Sequence, residues 1–134
     1  MEFRRTEVGR RLVVGADVDA PAGRVWDLLV DTERWPEWGP SVAAVDAPTR
    51  RIEAGTTGRV RVGGLGIRLP FEVETFDAGA MRWRWRVAGV SATGHGVDPR
   101  TDGCRVFFEV PPVAAGYAPV CRLACRRLRR LAEP

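Results

Sequence analysis

The chain has no lysine, no asparagine and no glutamine, and a single histidine, His95, and a single tyrosine, Tyr117, stand among its 134 residues. Arginine therefore carries all the permanent positive charge. The three missing types share AT-rich codons, which points to a GC-rich bacterial genome and says little about activity. No apolar run approaches the roughly 20 residues of a membrane-spanning helix. The opening MEFRRTEVGR also lacks the apolar core of a secretory signal. A cytoplasmic protein without an integral membrane segment is the expectation. Cys104, Cys121 and Cys125 are odd in number, which argues against a disulfide framework. They form no C-x-x-C pair and have only His95 as a helper, so no metal set is expected and the thiols read as small buried apolar groups. Paired inward carboxylates and a nucleophile with its base are missing too, and no cofactor is implied.

What is present is ordinary for a globular domain: 45% hydrophobic and 28% charged residues, in a length that suits one domain over residues 1–134. The net charge of +4 permits an anionic partner without requiring one.

The most informative stretch is Arg24 to Pro40, RVWDLLVDTERWPEWGP, with three of the five tryptophans. Arg24, Asp27 and Asp31 recur at helical spacing as a narrow polar stripe, while Val25, Trp26, Leu28, Leu29 and Val30 form a broad apolar face. Pro21 suits the first turn. A second short helix starts near Thr32 and is cut by Pro36 and by Gly39-Pro40. Trp35 and Trp38 on this broken turn must cover something apolar.

Strands are expected at Leu12–Ala20, Ser41–Val45, Thr57–Val62, Ile67–Phe76, Met81–Val87, Ala92–Asp98 and Cys104–Val110. Ile67, Leu69, Phe71, Val73 and Thr75 share one face of their strand, and Met81, Trp83, Trp85 and Val87 share one face of the next. A three-residue loop at Ala78-Gly79-Ala80 would set Val73 opposite Trp85 and Thr75 opposite Trp83 inside, with Glu72 opposite Arg86 and Glu74 opposite Arg84 outside. That pairing neutralises the arginine stripe, and no aromatic interleaves with it, so no nucleic-acid partner is expected. Gly63, Gly64 and Gly66 precede a strand where a phosphate cradle needs a helix N-terminus. His95, Thr93 and Val97 face inward, as do Val106, Phe108 and Val110, which leaves Phe107 as an unexplained exposed aromatic. After Pro111-Pro112 a terminal helix places Tyr117, Val120, Cys121, Ala124, Cys125, Leu128 and Leu131 on one face and arginines on the other.

One strand, two short helices, six antiparallel strands and a long helix define an α+β domain in which a curved sheet of about seven strands wraps the last helix. The motif V-W-x-L-L-x-D-x-x-x-W-P-x-W from Val25 to Trp38 resembles the START-like (SRPBCC) superfamily with its helix-grip fold. More narrowly it resembles the polyketide cyclase and dehydrase branch, with the likeness running from about Leu12 to Leu131. That resemblance implies a cavity between sheet and helix. The residues on its expected wall are Trp35, Trp38, Phe71, Val73, Thr75, Met81, Trp83, Trp85, His95, Phe108, Tyr117, Cys121 and Leu128, which could equally fill the interior. Two functions stay open: binding of a hydrophobic, aromatic or lipid-like small molecule, or a cyclase, aromatase or dehydrase with His95 and Tyr117 as acid/base groups. An interaction module with a filled core is the third reading. The protein is expected as a monomer or homodimer.

Overall fold

The computed structural model describes residues 2–134. Eight strands form one antiparallel sheet: β1 (Glu2–Thr6), β2 (Gly9–Val18), β3 (Val42–Asp46), β4 (Thr57–Val62), β5 (Arg68–Asp77), β6 (Arg82–Val87), β7 (Val90–Arg100) and β8 (Gly103–Val110). Their spatial order is β1-β2-β8-β7-β6-β5-β4-β3. Between β2 and β3 lie α1 (Ala22–Val30) and α2 (Trp35–Trp38). A 3-10 turn at Pro112–Tyr117 leads into α3 (Ala118–Ala132), around which the curved sheet folds. This is the helix-grip arrangement, with one strand more than the seven expected. The addition is β1, an exposed edge strand with Phe3 as its one large apolar residue, which hairpins onto β2 and carries no apolar periodicity to betray it.

The α1–α2 pair is held by indoles. Trp35 Nε1 donates to the Leu29 carbonyl at 2.8 Å, and Trp38 Nε1 donates to the Leu28 carbonyl at 2.9 Å. Both acceptors belong to the last turn of α1, where carbonyls lack helical partners. Pro21 is the N-cap, just outside the first turn. Asp31, expected on the solvated stripe, is instead buried at the C-cap, where its carboxylate binds Arg50 Nε at 2.9 Å and the Glu33 N–H at 3.0 Å. Burial alone would raise that carboxyl. The hydrogen bonds from Arg50 and Glu33, with the charges of Arg50 and Arg34, outweigh it and hold the group below the ordinary range.

The β5–β6 hairpin departs from the expected register at one residue. Val73 does face Trp85, and Glu72 faces Arg86. Glu74 is then an extra residue, a bulge, and beyond it Thr75 pairs with Arg84 and Phe76 with Trp83. Thr75 consequently points outward, and Phe76 takes the inner place against Trp26, ring centroids 5.5 Å apart. Glu74 bonds Arg86 at 3.3 Å rather than Arg84. The connecting loop closes through Met81, just after Ala78-Gly79-Ala80, at a positive φ of 56°. Ile67 lies before β5 and is exposed, as is Leu131 at the end of α3.

On the outer face, two glycines of β7 let side chains cross from β6 to β8. Arg84 pairs with Gly94, and Gly94 with Glu109, so the guanidinium reaches over Gly94 to Glu109 at 2.8 Å. A Cβ at Gly94 would stand 2.7 Å from that carboxylate. One step along, Arg82 reaches over Gly96 and sits 4.5 Å above the Phe107 ring. Phe107 is therefore buried on the convex face, contrary to the exposure expected of it, because Gly96 leaves it a seat and Arg82 covers it.

Candidate functional site

Inside the grip, the aromatic residues divide the interior into a packed end and an open end. Trp35 stacks on Trp83 with centroids 5.4 Å apart and planes 5° from parallel, and Trp83 stacks in turn on His95. Phe71 packs against Trp35 and Trp85 at 5.6 Å. Trp38 meets Phe108 edge-on at 5.7 Å. Beyond this stack, toward the start of α3, lies a cavity of about 350 Å³.

Of the residues expected on its wall, Trp35, Trp38, Trp83, Trp85, His95, Phe108, Tyr117 and Cys121 border the cavity. Phe71 and Val73 are packed behind the aromatic stack, and Leu128 is enclosed two turns further along α3. Thr75 is on the outer face because of the Glu74 bulge, and Met81 is half-buried at the far end of β6. None of these five borders the cavity. Gly39 to Val42, Pro111 and Ala114, which no strand or helix pattern places on the wall, line it as well. These come from turns without periodicity. Val60, Val62, Leu69, Val87 and Thr93 also line it: Leu69, Val87 and Thr93 lie on the faces that the strand patterns turn inward, and Val60 and Val62 follow the same alternation in β4.

The inner wall carries one polar cluster. Trp85 Nε1 donates to Thr93 Oγ1 at 3.1 Å, and Thr93 Oγ1 and His95 Nε2 are hydrogen-bonded at 3.0 Å. Among the described residues, His95 Nδ1 and Trp83 Nε1 have no hydrogen-bond partner. Burial is the main influence on His95 and drives its pKa down to about 3, opposed only in part by the Trp83 backbone. The ring is neutral at physiological pH. At the outer end, the Tyr117 hydroxyl donates to Ser41 Oγ at 2.9 Å. Burial raises the Tyr117 pKa, Ser41 opposes that rise, and the nearby Cys121 adds to it. Burial likewise lifts the Cys121 and Cys125 thiols to about 12, which leaves them protonated and weakly nucleophilic. No cluster of three metal-ligating side chains occurs among the described residues.

A larger cleft of about 590 Å³ runs over the outer face beneath the β1–β2 hairpin. Its floor includes the Arg84–Glu109 and Arg82–Asp98 pairs, whose charges satisfy one another. It offers no apolar enclosure, and the chemistry of interest lies inside.

The family model described as polyketide cyclase / dehydrase and lipid transport matches residues 10–133. The chain belongs to this family. No curated protein sequence matches it. Solved structures show the same fold at low identity. The hypothetical protein jhp0584 of Helicobacter pylori superposes with a TM-score of 0.72 at 13% identity, over 92% of this chain and 86% of that one. A Thermobifida fusca protein solved by NMR gives 0.65 at 22% identity, covering 92% and 95%. Ara h 8.0201 gives 0.67 at 11% identity, covering 91% and 96%. No helix among the described residues is long and apolar enough to cross a membrane.

Proposed function

We propose that the protein binds a neutral, flat, largely apolar small molecule in the internal cavity. The observation that carries this is the inner wall, where indole, imidazole and phenyl rings surround the Thr93 hydroxyl, held in place by Trp85 and His95, while the paired Tyr117 and Ser41 hydroxyls stand at the outer end. Such a wall offers stacking and burial with one point of polar recognition. The volume falls at the lower end of the roughly 300–1,000 Å³ usual for small-molecule sites. With no charged side chain on the wall, nucleotides and sugar phosphates would lose their hydration without return.

The family also contains cyclases and dehydrases, for which His95 and Tyr117 would be the acid/base pair. An imidazole whose pKa is about 3 takes up a proton poorly at neutral pH, and the Tyr117 pKa is shifted further from neutrality. Both groups suit holding a carbonyl or hydroxyl better than moving a proton, so binding is the function we assign.

The test is a titration with aromatic polyphenols followed by tryptophan fluorescence. Saturable quenching is expected, weakened at least tenfold in Trp85→Ala and unchanged in Arg130→Ala on the solvent side of α3. Quenching that never saturates, or that responds equally to both substitutions, removes the cavity as the site.

A further inference from the structure

The wall residues grade from enclosed to half-exposed along one direction. Trp35, Trp83, His95, Phe108, Cys121 and Ala124 are buried, whereas Val42, Val62, Leu69, Val87, Ala114 and Val120 are only partly covered. The mouth therefore lies where β4, β6 and β8 end and α3 begins. Four chain segments frame it, residues 38–42, 61–68, 86–91 and 111–123.

Two features set this rim apart from the rest of the surface. First, it carries most of the exposed large apolar side chains: Leu65, Ile67, Val90, Val113, Tyr117 and Leu123, with Val113 95% and Leu65 68% exposed. Leu65 and Ile67 share the β4–β5 loop, Val90 follows the β6–β7 turn, Val113 and Tyr117 belong to the 3-10 turn and Leu123 to α3; Gly64, Gly66 and Gly89 adopt positive φ in the two hairpin loops. Second, the chain has 17 aspartates and glutamates, yet the four framing segments contain none, while Arg61, Arg68, Arg86 and Arg122 all fall within them. Arg61 and Arg68 are direct cross-strand partners, and Asp46 meets Arg68 at 3.8 Å but leaves the like-charged Arg61 beside it without a carboxylate. Among the described residues, Arg61 and Arg122 have no carboxylate within 4 Å, the salt-bridge limit.

From this juxtaposition we infer that the cavity mouth docks on an anionic lipid surface. Apolar tips on two glycine-bearing hairpin loops and on the helical segment leading into α3 suit shallow insertion among acyl chains, which have no fixed shape. A protein partner would call for a continuous, shape-complementary patch rich in aromatic anchors. The arginines would stay at headgroup level, their stems along the apolar tips and their guanidiniums on phosphate. Docking this way up places the cavity entrance against the hydrocarbon, so an apolar ligand enters or leaves without crossing water. This inference extends the cavity reading and does not depend on which ligand is bound.

The probe is co-sedimentation of the whole chain with vesicles of phosphatidylcholine alone or with one quarter phosphatidylglycerol, over a range of salt. Partitioning onto the anionic vesicles should exceed that onto neutral ones by at least tenfold and weaken with salt. The double substitution Leu65→Asp, Val113→Asp should abolish it, and Arg61→Ala should weaken it about fivefold. Arg130→Ala, at the opposite end of α3, should leave it within twofold of the parent. All four positions are exposed, and unchanged thermal melting of each variant confirms that folding is intact. Val90→Asp serves as a second apolar variant and should weaken partitioning at least tenfold. The inference is overturned if anionic vesicles are not bound at low salt, if Arg130→Ala costs as much as Arg61→Ala, or if the aspartate variants bind as well as the parent. Equal binding to polyglutamate, insensitive to the aspartates, would likewise overturn it in favour of an acidic protein partner. Polyphenol quenching measured on the Leu65→Asp, Val113→Asp chain separates the two readings. It should persist when docking is lost, and its absence in the parent would remove the cavity reading while leaving vesicle binding to stand alone.

Discussion

His95 lies face to face with Trp83, ring centroids 4.0 Å apart and planes 23° from parallel. The one imidazole of the chain is thus a stacked, neutral member of the core. In the unfolded chain the same ring titrates near its ordinary value of 6.5, while in the folded protein it resists protonation until about pH 3. Below pH 6.5 the unfolded state binds the extra proton, so stability falls as pH falls. The loss should reach about 2 kcal/mol at pH 5 and level off near pH 3. Denaturant unfolding of the parent and of His95→Gln between pH 7 and pH 5 checks this. The parent should weaken over that window and the variant should not, since no other histidine is present.

Trp35 joins α2 to both α1 and the sheet, and it is 1% exposed. Trp35→Ala should cost about 3–5 kcal/mol through lost burial and the void left behind. Trp35→Phe keeps most of the ring but abandons the Leu29 carbonyl, at about 1–3 kcal/mol. Urea midpoints of the two variants should fall in that order. A Trp35→Phe midpoint equal to the parent's would mean that the indole hydrogen bond contributes nothing.

The two outer-face ion pairs should differ. Arg84 and Glu109 have side chains only 17% and 12% exposed, whereas Arg86 and Glu74 are 52% and 30% exposed. Double-mutant cycles should give about 1–3 kcal/mol of coupling for the first pair and about 0.2–1 kcal/mol for the second. Raising salt should reduce the second more than the first.

Gly96→Ala places a methyl group against the tip of the Phe107 ring and close to Arg82, 2.9 Å from its Nη1. Phe107 would have to leave its seat, and a loss of about 1–3 kcal/mol is expected. Gly96→Ala combined with Phe107→Leu should be less destabilised than the sum of the single changes, as read by thermal melting.

Much of this fold could be read from residue order, and the exceptions have local causes. The alternation in β5 and β6 placed Val73 opposite Trp85 correctly, because period-2 patterning holds until the chain adds a residue. Glu74 is that residue. Nothing in F-E-V-E-T-F distinguishes an outward glutamate in register from one in a bulge, so Thr75 was placed inside and Phe76 was not. The β1 strand was missed because an edge strand with both sides near solvent has no apolar period. Trp35 and Trp38 were legible as plugs by their size and by the proline between them, while their carbonyl acceptors were not. The wall of the cavity was legible where strands supply it and hidden where the turns after α2 and β8 do. Phe107 is unexplained by the sequence pattern because its seat is made by an absence, the missing side chain of Gly96, its direct partner on the neighbouring strand.

The way α2 is fastened to α1 has a bearing on how such a chain can change over generations. Both indoles find acceptors in peptide carbonyls, at Leu28 and Leu29. Every amino acid brings the same carbonyl, so no substitution at positions 28 or 29 can delete the receiving atom, and the helix geometry alone keeps it in place. The fastening is inherited through two side chains instead of four. A lineage that retains those two tryptophans is free to rewrite the residues beneath them, and with them the contour of the interior, without first having to reinvent the clasp.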